Sequence, residues 1–197
     1  MGRGQRRWGL ATFAADPATP HARCAGATLC TLTVLTADGR RGSVVHAEEN
    51  GAEVKKYFVQ DLKVNPCQAC GGCGDGIDCV YDDDMADILQ DILDSDAVIF
   101  ASPIYFGTIN AQAKAVIDRF YSVFTNPQKE FSGKLLAIYT SGAPAEALID
   151  AENMTTGLFT NLGFETTALN AGGVLPKGAA KEQEEYMKAA YEFGKGL

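Results

Sequence analysis

Residues 82–103, DDDMADILQDILDSDAVIFASP, change hydrophobic period in mid-course. Met85, Ile88, Leu89, Ile92 and Leu93 recur at helical spacing behind a run of carboxylates that suits a helix N-terminus. Asp96 then opens a compact apolar run over 96–102, closed by a proline, which reads as a buried strand. The same alternation recurs along the chain. Strand-like runs lie at 28–35 (TLCTLTVL), 53–60 (EVKKYFVQ), 134–140 (KLLAIYT) and within FETTALNAGG, residues 164–173. Helical patterns occupy 111–124 and part of 141–163, and KEQEEYMKAAYEFGKGL closes the chain. Strands alternating with helices predict an α/β fold with a parallel sheet and right-handed crossovers.

Five such units predict a flavodoxin-like three-layer sandwich, a five-stranded parallel sheet of order 2-1-3-4-5. In that architecture the ligand site lies beyond the carboxyl ends of the strands, at the switch point. PIYFGTIN, residues 103–110, then reads as a loop at that edge. Residues 1–27 mix Arg, Pro, Ala and Gly without a sustained period and are expected to be a poorly ordered leader, leaving 28–197 as one domain.

Charge narrows the function. Seventeen Lys and Arg against 25 Asp and Glu leave a net charge of −8, which disfavours binding to a phosphate backbone. No window approaches the roughly 18 consecutive apolar residues of a membrane span. The apolar run WGLATFAA behind Arg3, Arg6 and Arg7 stops at Asp16-Pro17, too early for an export signal, so a cytoplasmic protein is expected. His21 and His46 are the only histidines, which gives a His-centred hydrolase little support.

The chemistry concentrates in PCQACGGCGDGIDC, within the cysteine-rich loop 66–80. Cys67, Cys70, Cys73 and Cys79 form one continuous C-x2-C-x2-C-x5-C array, whereas zinc is commonly gripped by two separated CxxC halves. Two consecutive x2 spacings let three thiolates converge on a cluster, and the intervening glycines permit tight wrapping. A 4Fe-4S cluster suits the spacing best; unligated or redox-active thiols and zinc are the alternatives. Cys24 and Cys30 lie outside the array and read as incidental or buried.

VNPCQACGGC, the DDM at 83–85 and DAVIFASPIYFGTINAQAKAVIDR, residues 96–119, resemble the NADPH-dependent FMN reductases of the flavodoxin superfamily. With its four cysteines the chain is most similar to their iron-sulfur flavoprotein branch, over about residues 53–197. The resemblance implies an FMN whose ring meets Ser102, Pro103, Ile104, Tyr105, Phe106 and Gly107 on one side and Thr140, Ser141 and Gly142 on the other. It also implies NAD(P)H as a possible electron donor, a small-molecule or protein electron partner, and a homodimer or homotetramer. Asp118-Arg119 match the family's helix and read as a structural ion pair or cap rather than catalytic groups. The family's phosphate-binding loop after the first strand is missing here, and Thr36, Arg40, Arg41 and Ser43 are the substitutes on offer. Together these features predict an FMN-dependent redox flavoprotein that passes electrons through a 4Fe-4S cluster. A plain NAD(P)H-dependent FMN or quinone reductase without a cluster and a flavin-free thiol redox module are the alternatives.

Overall fold

A computed structural model describes residues 31–36, 53–74, 78–126, 129–174 and 179–195. Six strands form one mixed sheet: β1 (Thr31–Thr36), β2 (Glu53–Phe58), β3 (Ala97–Tyr105), β4 (Thr108–Ile109), β5 (Lys134–Thr140) and β6 (Glu165–Ala171). Their order is β2-β1-β3-β5-β6, with β4 paired to β3 off that path. The helices are α1 (Met85–Asp94), α2 (Ala111–Arg119), α3 (Tyr121–Phe124), α4 (Ile149–Asn161) and α5 (Glu184–Lys195).

The expected sheet of five parallel strands is corrected by strand direction. β3, β5 and β6 are mutually parallel, but β1 runs antiparallel to both β2 and β3. An antiparallel neighbour needs no crossover helix between the two strands. Direction is a property of how strands meet, and the local pattern of TLCTLTVL is the same either way.

Alternation along β3 and β5 sorts the core into two layers. Val98 and Phe100 of β3 with Leu135, Ala137 and Tyr139 of β5 face a large cluster built from α1, α2 and α4. Ala97, Ile99, Ala101, Leu136 and Ile138 face the other way, against Leu169 of β6 and Tyr186 and Phe193 of α5. Covering on both faces is why β3 and β5 read as unbroken apolar runs. Phe100, Phe120, Phe131, Phe159 and Phe164 meet in a chain of ring contacts at 5.1–6.4 Å that fastens α2 and α4 to the first layer.

Near the strand-end edge, two boundaries differ from the sequence reading. β3 continues through Pro103 to Tyr105 instead of stopping at Ser102, so PIYFGTIN is half strand and hairpin. The helical pattern of 111–124 breaks at Phe120 into α2 and the single turn α3.

Candidate functional site

The strands end together at one edge. Pro103 of β3 stands opposite Thr140 of β5, and Thr140 opposite Ala171 of β6. Ser102 is fully buried and Ile104 nearly so, and they fasten the edge from behind. The Ser102 hydroxyl donates toward Pro103 O (2.9 Å) and Asn110 Oδ1 (3.2 Å) and accepts from the Asn110 amide (3.2 Å). Asn110 Oδ1 also accepts from Ala113 N–H at 3.0 Å, so one side chain caps α2 and ties its start to the end of β3.

Beyond Ile104 the chain makes a two-residue hairpin, with Tyr105 paired to Thr108. Its corner residues, Phe106 (φ +51) and Gly107 (φ +82), are both left-handed, the arrangement that favours Asn-Gly. A phenylalanine there is costly, and its ring is fully exposed beside the half-exposed Tyr105. Facing this hairpin, the turn after β5 is held in shape by backbone. Ser141 N–H donates to Ala171 O (3.1 Å), Val174 N–H to Ser141 O (2.9 Å) and Gly173 N–H to Ala143 O (2.8 Å). A Cβ on Gly172 would come within 2.2 Å of Ala145 N, so only glycine lets the two turns meet. The structure therefore brings both predicted ring-binding groups, Ser102–Gly107 and Thr140–Gly142, to one edge. The apolar faces displayed there and the backbone beside them suit a flat heteroaromatic ring.

Of the predicted phosphate set, only Thr36 is among the described residues. Because β1 is antiparallel, Leu35 pairs with Ala97 and Thr36 emerges at the opposite end of the sheet from Pro103. Arg40, Arg41 and Ser43 lie outside the described residues.

The cysteine loop is built differently. Cys67 and Cys70 are exposed, Cys73 is buried and Cys79 is half-buried; all four are free thiols. Among the described residues no three Cys, His, Asp or Glu side chains gather closely enough to hold a metal ion. Four unpaired thiols suit an iron-sulfur cluster in kind, but they do not stand as a preformed cage. What is preformed is the frame. Arg119 and Asp83 side chains are each 2% exposed and pair bidentately, Nη1 to Oδ2 at 2.7 Å and Nη2 to Oδ1 at 3.0 Å. Arg119 Nη1 also donates to Asn65 O (3.0 Å), and its guanidinium lies 4.9 Å from the centre of the Tyr81 ring.

Burial opposes the charge on both partners, and their environment more than offsets it. Arg119 is held above its ordinary value by Asp83 and by Cys79. Asp83 is pulled from 3.8 down to about 2 by Arg119 and the Asn65 backbone and side-chain N–H groups. Of the ion pair or cap read for Asp118-Arg119, Arg119 forms an ion pair, with Asp83. Asp118, its neighbour, pairs with Lys114 on the surface instead. Asp83, 36 positions upstream of Arg119, reads from sequence as a helix-start carboxylate and part of the DDM motif, not as the partner of Arg119. A buried arginine requires such a partner, and three consecutive aspartates at 82–84 were the available signal.

An α/β domain with an open, aromatic-lined edge at its strand ends and a thiol-rich loop alongside α2 defines a candidate redox cofactor protein. The chain belongs to the NADPH-dependent FMN reductase family, whose profile matches residues 38–174. An iron-sulfur flavoprotein of Archaeoglobus fulgidus is 32% identical over 135 residues, 68% of this chain and 55% of the relative. One of Methanosarcina thermophila is 44% identical over 73 residues, 37% of this chain and 38% of the relative. The chain thus spans about half the length or less of these curated relatives. Among solved structures, the Trp repressor binding protein of Bacillus subtilis overlaps 56% of this chain and 71% of its own, with TM-score 0.47 and 20% identity. Among the described residues no helix is long and apolar enough to cross a membrane.

Proposed function

We propose that this protein is an NAD(P)H-dependent oxidoreductase that works on FMN bound at the strand-end edge, and that its cysteine loop takes a 4Fe-4S cluster. The observation that carries the flavin reading is the register of Pro103, Thr140 and Ala171, which lines up two turns and two exposed aromatic side chains in a chain of the FMN reductase family. Bound there, FMN would supply hydride acceptance from a nicotinamide and onward release of electrons.

The chain's own contribution is placement. Ser102 and Asn110 hold the floor of the edge rigid. Tyr105 and Phe106 offer apolar faces to the ring, and the turn Thr140–Gly142 offers backbone. No side chain at the edge need act as acid, base or nucleophile. Cys67, Cys70, Cys73 and Cys79 would be the cluster ligands, drawn together from their present separated positions. The names of the relatives support that assignment. The protein is expected to work as a homodimer or homotetramer in the reducing cytoplasm, with a small-molecule or protein electron partner.

The separated thiols favour a second reading, a plain FMN or quinone reductase whose cysteines ligate nothing. Anaerobic purification followed by FMN, iron and sulfide analysis separates the two. Flavin with about four irons per chain supports the cluster reading; flavin alone supports the second; protein that neither carries nor takes up FMN refutes both.

A further inference from the structure

The cysteine loop leaves the fold and returns to it at two points held by one side chain. Arg119, the last residue of α2, reaches Asn65 O at 3.0 Å, two positions before Cys67. Its bidentate partner Asp83 lies four positions after Cys79. Asp83 Oδ2 in turn accepts from Asn65 N–H (2.9 Å) and Asn65 Nδ2 (3.0 Å), so Asn65, Asp83 and Arg119 form a closed ring of hydrogen bonds across the mouth of the loop. Lys63 and Asp84 extend it through Lys63 N–H to Asp84 Oδ2 (2.7 Å) and Asp84 N–H to Lys63 O (3.1 Å).

Two lighter ties hold the loop further out. Thr125 donates to Cys73 O at 3.0 Å, and Lys129 pairs with Asp78. The guanidinium stands over Tyr81, and its buried Nε–H has no hydrogen-bond partner within the protein. Surface pairing does not require a buried arginine. A leftover buried donor at the mouth of the cysteine loop is instead what a centre ligated by anionic thiolates would use.

We propose that Arg119 is the positioning residue of the cysteine loop. It closes both ends on one planar fork and sets a fixed cation at the mouth of the loop, so that the four thiols can gather on one anionic iron-sulfur centre. That last use rests on the cluster reading above. Tying the ends lowers the entropy lost when separated ligands are brought together. The fork also explains why arginine stands here, since lysine offers charge without two parallel bonds.

The test compares wild type, Arg119→Lys and Asp83→Asn, with Lys114→Met as a surface-pair control. Bound FMN reports folding, hydrogen exchange over 63–74 and 78–84 in metal-free protein reports the clasp, and iron release to a chelator after anaerobic reconstitution with ferrous iron and sulfide reports the ligand set. In wild type the Asn65 amide should be protected as well as those of α1; an amide exchanging like a free loop overturns the proposal whatever the variants do. Arg119→Lys should keep FMN while exchange across the loop and iron release each rise roughly tenfold, as for loss of a charge-assisted hydrogen bond. Asp83→Asn should move both the same way, and Lys114→Met neither. Unchanged exchange in folded Arg119→Lys overturns the clasp. If wild type binds no iron and sulfide, the cluster reading and the use assigned to the clasp fall together. Faster exchange in Arg119→Lys would then uphold only the clasp itself.

Discussion

The strand-end edge and the cysteine loop are positioned by different means. At the edge, parallel ladders set Pro103 against Thr140 and Thr140 against Ala171, and side chains only refine the result. The cysteine loop has no ladder, and its frame depends on Arg119, Asp83 and Asn65. A backbone-built site spreads its stability over many bonds, whereas a side-chain clasp concentrates it in a few. Single substitutions should therefore be felt more at the clasp than at the edge.

The largest effect is expected from Arg119→Met. It leaves a buried carboxylate without its cation, and breaking one side of a buried pair costs about 3–5 kcal/mol. Urea denaturation of the metal-free protein measures this; a loss below about 1 kcal/mol would mean that the pair is effectively solvated.

Acid acts on the same clasp from the other side. The folded value of Asp83, about 2, lies below its ordinary 3.8, so the pair's contribution is fully present above about pH 4 and is lost as the pH falls toward 2. The shift corresponds to roughly 2 kcal/mol. Denaturation midpoints at pH 5 and pH 2.5 in wild type and Asp83→Asn check the sign, because the variant should lose less of its stability over that interval.

Asn110→Ala probes the edge. It removes the α2 cap and one partner of Ser102, for about 1–2 kcal/mol. Its sharper signature is predicted in flavin retention, measured as the FMN dissociation constant, with hydrogen exchange over 63–84 unchanged. Exchange that rose there as well would show that α2 couples the two regions and would undo the contrast.

The two regions also differed in how far they could be read from sequence. KLLAIYT specifies a strand from Lys134 to Thr140 because burial on both faces leaves a continuous apolar run. The Ser102–Gly107 segment was placed at the edge for the same reason, although Pro103 concealed the last residues of β3 and its hairpin. Strand direction at β1 was not legible, and with it went Thr36, which emerges at the far end of the sheet. In the cysteine loop the spacing of the four thiols was plain, but an irregular loop has no period from which their placement can be derived. Its frame joins residues 36 and 54 positions apart, separations that no local pattern records.

The smallest effect concerns Phe106, where stability and binding are expected to oppose one another. Its left-handed backbone (φ +51) at a two-residue hairpin is tolerated far better by asparagine, and its ring is fully exposed and packs on nothing within the fold. Phe106→Asn should therefore raise stability by about 0.5–1 kcal/mol. An unfavourable conformation carrying an exposed aromatic ring is a conflict that folding alone does not explain, and such conflicts collect at binding sites. The same variant should hold FMN more weakly, because it removes one of the two aromatic faces at the edge. Thermal unfolding and flavin titration on one preparation decide between the outcomes. A more stable protein with weakened FMN binding assigns the strain to the site, whereas a more stable protein with unchanged binding would place the ring away from Phe106 and shift the edge's binding role to Tyr105 and the turn after β5.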